Sequence, residues 1–228
     1  EQGIHTFIAT GRPSHEIEEL ATELNIDSAI GFNGAYATIK GEVIVNEPFD
    51  VDIVKKIVEI VERNGHEMVL YKNGANYFTS LDSPLVQDFA ETFQLYRNRE
   101  LKNVDHDDVL SLTIMNVKED EVDDYKFDEN IHLSQVNVSG MQHSYDIIRD
   151  KVHKGFAVRR ILEQLQIEKE DAIAFGDGLN DKEMMQAVGT SFAMGNADPR
   201  LFQYTTHQTT SVMDSGIFKG LKQLGLVK

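Results

Sequence analysis

The chain has 228 residues, of which 41% are hydrophobic, and a formal net charge of −16. That charge argues against binding to a nucleic-acid backbone, which requires clustered Lys and Arg. Because the chain has no cysteine, disulfides, thiolate catalysis and zinc–thiolate sites are excluded. No apolar run approaches the ~20 residues that cross a bilayer. The composition predicts a cytoplasmic protein that does not bind membranes, with enough core for one medium domain or two small ones.

The first part of the chain predicts a β-loop-α-β unit, which builds parallel sheets. A strand is predicted at residues 4–9 and a helix at residues 17–24, because apolar residues recur there at helical spacing. A short strand at 29–31 leads into the turn Gly31-Phe32-Asn33-Gly34. A hairpin around Lys40-Gly41 follows.

The middle of the chain, residues 47–144, has a different pattern. Helices are predicted at 50–62 and 85–96, with a short acidic helix at 119–125. The predicted strands are 67–71, 76–80, 109–116 and 131–136. The carboxylates between residues 119 and 129 are interpreted as a solvated face. This middle part is predicted to be an α+β insert with its own sheet.

The alternation of strands and helices returns after residue 150. Helices are predicted at 152–165 and 182–188, and strands at 172–175 and 191–194. We therefore predict a discontinuous core made of residues 1–46 and 145–228, interrupted by the insert at 47–144.

The strongest sequence signal is the loop Gly176-Asp177-Gly178-Leu179-Asn180-Asp181, where a predicted strand meets a helix. Ligands of open α/β sheets bind beyond the carboxyl ends of the strands. Oxygen ligands without sulfur favour Mg²⁺. A calcium-binding EF-hand loop is excluded, since Val188 occupies the position that requires a Glu. A polar turn with a capping aspartate remains the alternative.

Two weaker signals accompany this loop. Thr10-Gly11-Arg12 follows the first predicted strand and offers a hydroxyl, backbone N–H groups and a guanidinium to a phosphate. Lys154 begins a predicted helix and can neutralise charge on a phosphate oxygen. Taken separately, Thr10 is more typical of a helix cap, and Lys154 of a solvated surface residue.

Together these segments resemble the haloacid dehalogenase superfamily, specifically the Cof-type phosphatases with a large α/β cap. The segments that carry the resemblance are residues 7–13, 31–35, 154–155, 176–181 and 193–197. The resemblance implies a Rossmann-like parallel-sheet α/β core with an inserted α+β cap. It also implies a Mg²⁺-dependent phosphatase that removes phosphate from a small phosphorylated metabolite through an aspartyl-phosphate.

The resemblance also implies roles for individual residues. Thr10 and Lys154 are expected to contact the transferred phosphoryl group and Asp177 to act in catalysis. Gly11, Arg12, Asn33 and Asn180 are expected on the substrate or phosphate side. Asp177 is expected to ligate Mg²⁺, with Asp181 also at the metal and supporting the site. The cap is expected to close over the site and select the leaving group.

One family feature is missing. The motif Asp-x-Asp-Gly-Thr, which supplies the nucleophile and the general acid/base in the family, does not occur in this sequence. In the family, the strand that carries this motif lies between the strands that resemble 4–9 and 172–175. The resemblance therefore implies a leading segment of roughly 25 to 40 residues in the natural protein. A phosphomutase and a non-catalytic metabolite-binding protein remain alternatives. The sequence does not predict an oligomeric state.

Overall fold

The computed structural model describes residues 3–228 and shows a mixed α/β protein. The α-helices are α1 (Glu18–Glu23), α2 (Val51–Asn64), α3 (Pro84–Thr92), α4 (Lys154–Leu165), α5 (Lys182–Ala187) and α6 (Gly216–Gln223). The strands are β1 (Ile8–Ala9), β2 (Ala29–Gly31), β3 (Tyr36–Ile39), β4 (Glu42–Asn46), β5 (Glu67–Lys72), β6 (Ala75–Phe78), β7 (Asn98–Glu100), β8 (Val109–Met115), β9 (Ile131–Gln135), β10 (Tyr145–Arg149), β11 (Ile173–Gly176), β12 (Thr190–Ala193) and β13 (His207–Gln208). None of the helices in this described range is both long and apolar enough to cross a membrane.

The two ends of the chain supply the parallel strands. One sheet has the order β1-β2-β3-β4, with β1 and β2 parallel, and another has the order β11-β12-β13, all parallel. Across residues 3–228, β1 pairs only with β2, and β11 pairs only with β12. The predicted strand at 4–9 is therefore wrong in length, since only Ile8–Ala9 find a ladder partner.

Helix α4 joins the two ends into one core. Its residues Ala157 and Ile161 pack in the same apolar cluster as Ile30, Ala37 and Val45 of the first sheet. On the other side, α4 packs against α5. The segments before and after the insert therefore share one hydrophobic core.

The insert contains a six-stranded sheet with the order β7-β6-β5-β8-β10-β9. Because side chains alternate along a strand, Met68 and Leu70 of β5 face α2, and Val69 and Tyr71 face the side of α3. Helix α2 begins at the Asp50 cap, whose Oδ1 accepts the N–H of Asp52 at 2.8 Å. One face of the sheet is thus closed by α2, and part of the other face remains available for a site.

The structure moves one predicted boundary. The insert was predicted to end at residue 144, but β10 (Tyr145–Arg149) pairs with both β8 and β9 inside the insert's sheet. We therefore place the end of the insert after Arg149. The division into two domains remains our proposal. The fold class, an α/β core with parallel strands and an inserted α+β part, is confirmed.

Candidate active site

The loop after β11 is held in shape by Asp181. Its Oδ2 accepts the backbone N–H groups of Asp177 at 3.0 Å and of Gly178 at 3.1 Å. A Cβ at position 176 would lie 2.5 Å from the same carboxylate oxygen, so Gly176 is required for this close approach. The second carboxylate of the predicted motif therefore closes the loop from within.

Lys154 lies against the other oxygen of Asp181. Its Nζ donates to Asp181 Oδ1 at 2.6 Å, and both side chains are only 6% exposed. Lys154 is the first residue of α4, where His153 caps the helix by accepting the N–H of Phe156 at its Nδ1. Burial lowers the pKa of His153, which favours the neutral ring that this cap requires. The lysine is thus a buried, positioned cation rather than a solvated surface residue.

Asp177 presents its carboxylate outward. Its Oδ2 accepts the side-chain amide of Asn196 at 3.0 Å, and its backbone oxygen accepts the N–H of Asp198 at 2.9 Å. Asn196 is fixed in turn, because its Oδ1 accepts the N–H of Val212 at 3.0 Å. Among residues 3–228, no side chain or N–H group donates to Asp177 Oδ1. One oxygen of Asp177 is therefore oriented and the other is free.

The Thr10 loop lies next to the Asn33 turn. The hydroxyl oxygen of Thr10 accepts the N–H of Arg12 at 3.1 Å, and the backbone oxygen of Thr10 accepts the N–H of Asn33 at 3.2 Å. Asn33 has a φ of 53°, in the left-handed region that Asn tolerates better than most residues. Its Oδ1 accepts the side-chain amide of Asn180 at 2.9 Å. The Asn33 turn, and through it the Thr10 loop, is thereby connected to the Asp177 loop.

A close backbone approach completes the arrangement. A Cβ at Gly34 would lie 2.3 Å from the backbone oxygen of His153, so only glycine allows the Asn33 turn to touch the start of α4. The structure thereby brings together Thr10, Gly11, Arg12, Asn33, Lys154, Asp177, Asn180 and Asp181, the residues singled out from the sequence.

A cavity of about 300 Å³ opens beside these loops. Thr10, Gly11, Arg12, Asn33 and Asn180 line it from the core. The wall opposite, contributed by the insert, combines aromatic and aliphatic side chains with a few polar groups, a composition typical of small-molecule sites. The cavity therefore lies between the core and the insert.

Several lining residues were not predicted. Ser111, Thr113 and Asp146 line the cavity from β8 and β10. Ser111 and Thr113 are the two hydroxyl residues on one face of an otherwise apolar strand, a signal that the sequence does contain. Among the aromatic residues of the insert's sheet, Tyr71 lines the cavity, whereas Phe78 is fully buried inside the insert and Tyr77 packs on the apolar cluster under α2.

The donor set at Asp177 fits a magnesium ion with limited protein ligation. Residues 3–228 contain no cluster of three or more His, Asp or Glu placed to hold a metal. Mg²⁺ in phosphate-handling enzymes commonly uses one or two carboxylates, with water and substrate oxygens as the other ligands. The free oxygen of Asp177 meets that requirement. Both oxygens of Asp181 are already bonded to Lys154, Asp177 and Gly178, which favours a supporting role for Asp181 over direct ligation.

Comparison with known proteins identifies the family of this chain. The family described as haloacid dehalogenase-like hydrolase matches residues 1–221. The chain is 29% identical over its whole length to the Bacillus subtilis protein named "Putative phosphatase YkrA", covering 87% of it. It is also similar to 5-amino-6-(5-phospho-D-ribitylamino)uracil phosphatase YitU of Bacillus subtilis, at 25% identity over 98% of this chain and 86% of that protein.

A solved structure shows the same fold. A hypothetical protein of Geobacillus kaustophilus superposes with a TM-score of 0.90 at 29% identity, over 99% of this chain and 87% of the other. The prediction of the family and of the enzyme class is confirmed. The chain belongs to the haloacid dehalogenase-like hydrolase family, and it is an enzyme, a phosphatase of that family.

Proposed function

We propose that the protein hydrolyses a small phosphorylated metabolite in a Mg²⁺-dependent reaction that passes through an aspartyl-phosphate. The observation that carries the proposal is the contact of Lys154, Asp181 and the Asp177 loop, joined through Asn180 to Asn33 at the mouth of the cavity. A fixed cation, backbone donors and a free carboxylate oxygen are the groups that hold a phosphate and its metal.

Lys154 holds positive charge at the phosphate. Its ammonium has three N–H donors, and Asp181 takes one of them at 2.6 Å. The remaining donors are available to phosphate oxygens as negative charge develops on them. Because the lysine is buried and its partner is itself fixed by two backbone N–H groups, the charge needs little reorganisation during reaction.

Thr10 supplies a directed hydroxyl. Its oxygen already accepts the N–H of Arg12, which leaves its hydrogen free to donate to a phosphate oxygen. Arg12 lines the cavity beside it and adds a cationic group on the substrate side. The bond between Asn33 and Asn180 holds the Thr10 loop against the Asp177 loop. The two loops then contact the phosphate from two sides.

Asp177 would hold the magnesium ion through the oxygen that Asn196 leaves free. When bound, Mg²⁺ neutralises phosphate oxygens and helps to orient the phosphoryl group. The nucleophilic aspartate of the family lies in the motif Asp-x-Asp-Gly-Thr, which residues 1–228 do not contain. Lys154, Thr10 and Asp177 therefore account for holding the phosphate and the metal. None of them is the attacking aspartate.

The test is phosphate release from 4-nitrophenyl phosphate by the full-length protein, with Mg²⁺ and with EDTA. We expect release that requires the metal. Asp177→Asn should lower the rate of phosphate release about a hundredfold or more. The reason is that losing a residue that only orients a metal ligand already costs about 10- to 100-fold. Circular dichroism should be unchanged, because the Asp177 side chain is exposed.

The matched control is Asp171→Asn, which removes an exposed aspartate that makes no side-chain hydrogen bond within residues 3–228. It should retain full activity. Equal release in EDTA, or full activity of Asp177→Asn, would contradict the proposal. Transfer of the phosphoryl group to a second alcohol in place of release would instead identify a phosphomutase.

A further inference from the structure

The cavity has two chemically different ends. The core end carries Thr10, Arg12 and Asn180, which belong to the phosphate-holding loops. On the insert side, the apolar part of the wall is formed by Phe89, Phe93, Leu95 and Val136. If the phosphate lies at the core end, as the proposed function requires, the leaving group must extend into the insert end.

The insert end carries the only carboxylate that lines the cavity in the described part of the chain, Asp146. Asp146 of β10 is the register partner of Thr113 of β8, so their side chains share one face of the sheet. Thr113 donates its hydroxyl to Asp146 Oδ1 at 2.6 Å. This bond fixes one oxygen of the carboxylate, and no donor among residues 3–228 bonds to the other.

Asp146 has no cationic partner. No Lys, Arg or His nitrogen among residues 3–228 lies within ion-pair distance of its carboxylate, and Thr113 is its only hydrogen-bond donor there. Burial raises the pKa of Asp146 above its usual range, against the opposing effect of the Thr113 bond. Keeping a half-buried carboxylate ionised without a cation is costly, so the position of Asp146 at the cavity points to a ligand that compensates its charge.

Tyr71 extends the same polar patch. It is 8% exposed, lines the cavity, and its hydroxyl lies 3.5 Å from Thr113 Oγ1. Since Thr113 has one hydrogen and gives it to Asp146 at the shorter distance, it cannot also donate to Tyr71. A small patch rich in hydrogen-bond acceptors is therefore formed by Asp146, Thr113 and Tyr71. Phe89 and Phe93 line the same cavity.

We propose that Asp146 recognises a protonated amino group on the leaving group of the substrate. The substrate class is then a phosphomonoester whose alcohol carries an amine at one end and an apolar, ring-sized portion between the amine and the phosphate. The apolar portion packs on Phe89 and Phe93, and the amine donates to the free oxygen of Asp146. A cavity of about 300 Å³ limits this alcohol to a small metabolite.

The test compares two aryl phosphates of equal shape in EDTA, where turnover is prevented. One is 4-(2-aminoethyl)phenyl phosphate and the other is 4-propylphenyl phosphate, in which a methyl group replaces the ammonium. Isothermal titration calorimetry with the full-length protein should show at least about tenfold tighter binding of the amine, the effect expected of a charge-assisted hydrogen bond. In Asp146→Asn this preference should fall to about twofold or less.

The matched control is Asp107→Asn, which removes the same charge from an exposed position of the insert. It should keep the full preference. Equal affinity of the wild-type protein for the two phosphates would overturn the inference, as would an equal loss of preference in both variants.

The binding experiment is separate from the test of the proposed function. A protein that prefers the amine but releases no phosphate with Mg²⁺ would contradict the hydrolase proposal and support the Asp146 site. A protein that hydrolyses both phosphates and binds them equally well would support the hydrolase proposal and contradict the Asp146 site.

Discussion

At the scale of single residues, the pair Lys154–Asp181 defines the site. An ion pair whose members are each 6% exposed stabilises a protein little as a whole, because desolvation offsets the attraction between the charges. Removing one member is different, since the other charge then stays buried without a partner. We therefore interpret the pair as a contact that fixes the position of the Lys154 ammonium for function.

We predict that Lys154→Met lowers the free energy of unfolding by about 3–5 kcal/mol. Asp181→Asn should also be strongly destabilising, and additionally leaves two loop N–H groups with a weaker acceptor. The double variant should be clearly more stable than the sum of the single losses predicts, because neither charge is then left alone.

Urea denaturation of the three variants measures this coupling. Lys151→Met, which changes an exposed lysine nearby, should shift the free energy of unfolding by less than about 0.5 kcal/mol. Strictly additive losses in the double variant would show that the two side chains do not act as a pair.

The sequence identified the residues of this site but not all of their contacts. Thr10, Lys154 and Asp177 were selected because their types and their positions after strands suggest phosphate chemistry. That Asp181 would bond to Lys154 and to its own loop was not predicted, since a carboxylate's partners depend on the distance between segments remote in the chain. Asp146 was missed because the short strand Tyr145–Arg149 has neither a turn signal nor clear alternation.

At the scale of elements, the approach of α4 to α5 positions the lysine. A Cβ at Gly155 would lie 2.2 Å from the backbone oxygen of Glu183, which belongs to α5. Glycine thus allows the first turn of α4, which carries Lys154, to contact the helix that follows the Asp177 loop. The two helices fix the distance between Lys154 and Asp181.

We predict that Gly155→Ala destabilises the protein by at least about 1–3 kcal/mol, the range for overpacking. Alanine favours a helix over glycine by about 1 kcal/mol, but a backbone oxygen at 2.2 Å cannot move aside as a side-chain tip can. The thermal midpoint of unfolding measures the change. Glu163→Ala, on the exposed face of α4, is the control and should have little effect; a stabilised Gly155→Ala would contradict the packing argument.

Long periodic elements were predicted better than short polar ones. Helices α2 and α4 lie within two residues of the predicted bounds, because their apolar residues recur at helical spacing. Strand β7 was missed, since Asn98-Arg99-Glu100 carries no apolar pattern and is ordered by pairing with β6. The acidic segment Glu119–Tyr125 is a 3-10 helix, and α6 was not predicted.

At the scale of the whole molecule, a buried polar contact docks the insert on the core. Glu16 Oε1 accepts the side-chain amide of Asn76 at 2.9 Å and the N–H of Tyr96 at 3.0 Å. The Tyr96 hydroxyl donates to the backbone oxygen of His15, whose ring is almost fully buried. Burial lowers the pKa of His15, so that a neutral ring is favoured in this contact. This contact therefore joins the core to the insert, the two parts of the chain that line the cavity.

We predict that Glu16→Ala loosens this contact and raises hydrogen exchange of the Tyr96 amide by about tenfold or more. The reason is that the loss of a charged acceptor removes roughly 1.5–3 kcal/mol from the bond it made. Mass spectrometry of exchanged peptides around Tyr96 measures the effect. Glu19→Ala, an exposed neighbour, should leave exchange unchanged; unchanged exchange in Glu16→Ala would show that the insert is held elsewhere.

The loops that must close to form the core are longer than some of those that close within the insert, so the entropy cost of closure differs between the two parts. Two pairings in the insert's sheet, β5 with β6 and β10 with β9, join strands that follow one another directly, and each closes a short loop. In contrast, the cluster of Ile30 and Val45 with Ala157 and Ile161 forms only when the chain closes around the entire insert. That longer loop carries a larger entropy loss when the insert is unfolded than when it is already compact. A folded insert, with its ends close together, therefore lowers the entropic barrier to assembling the core that holds the phosphate.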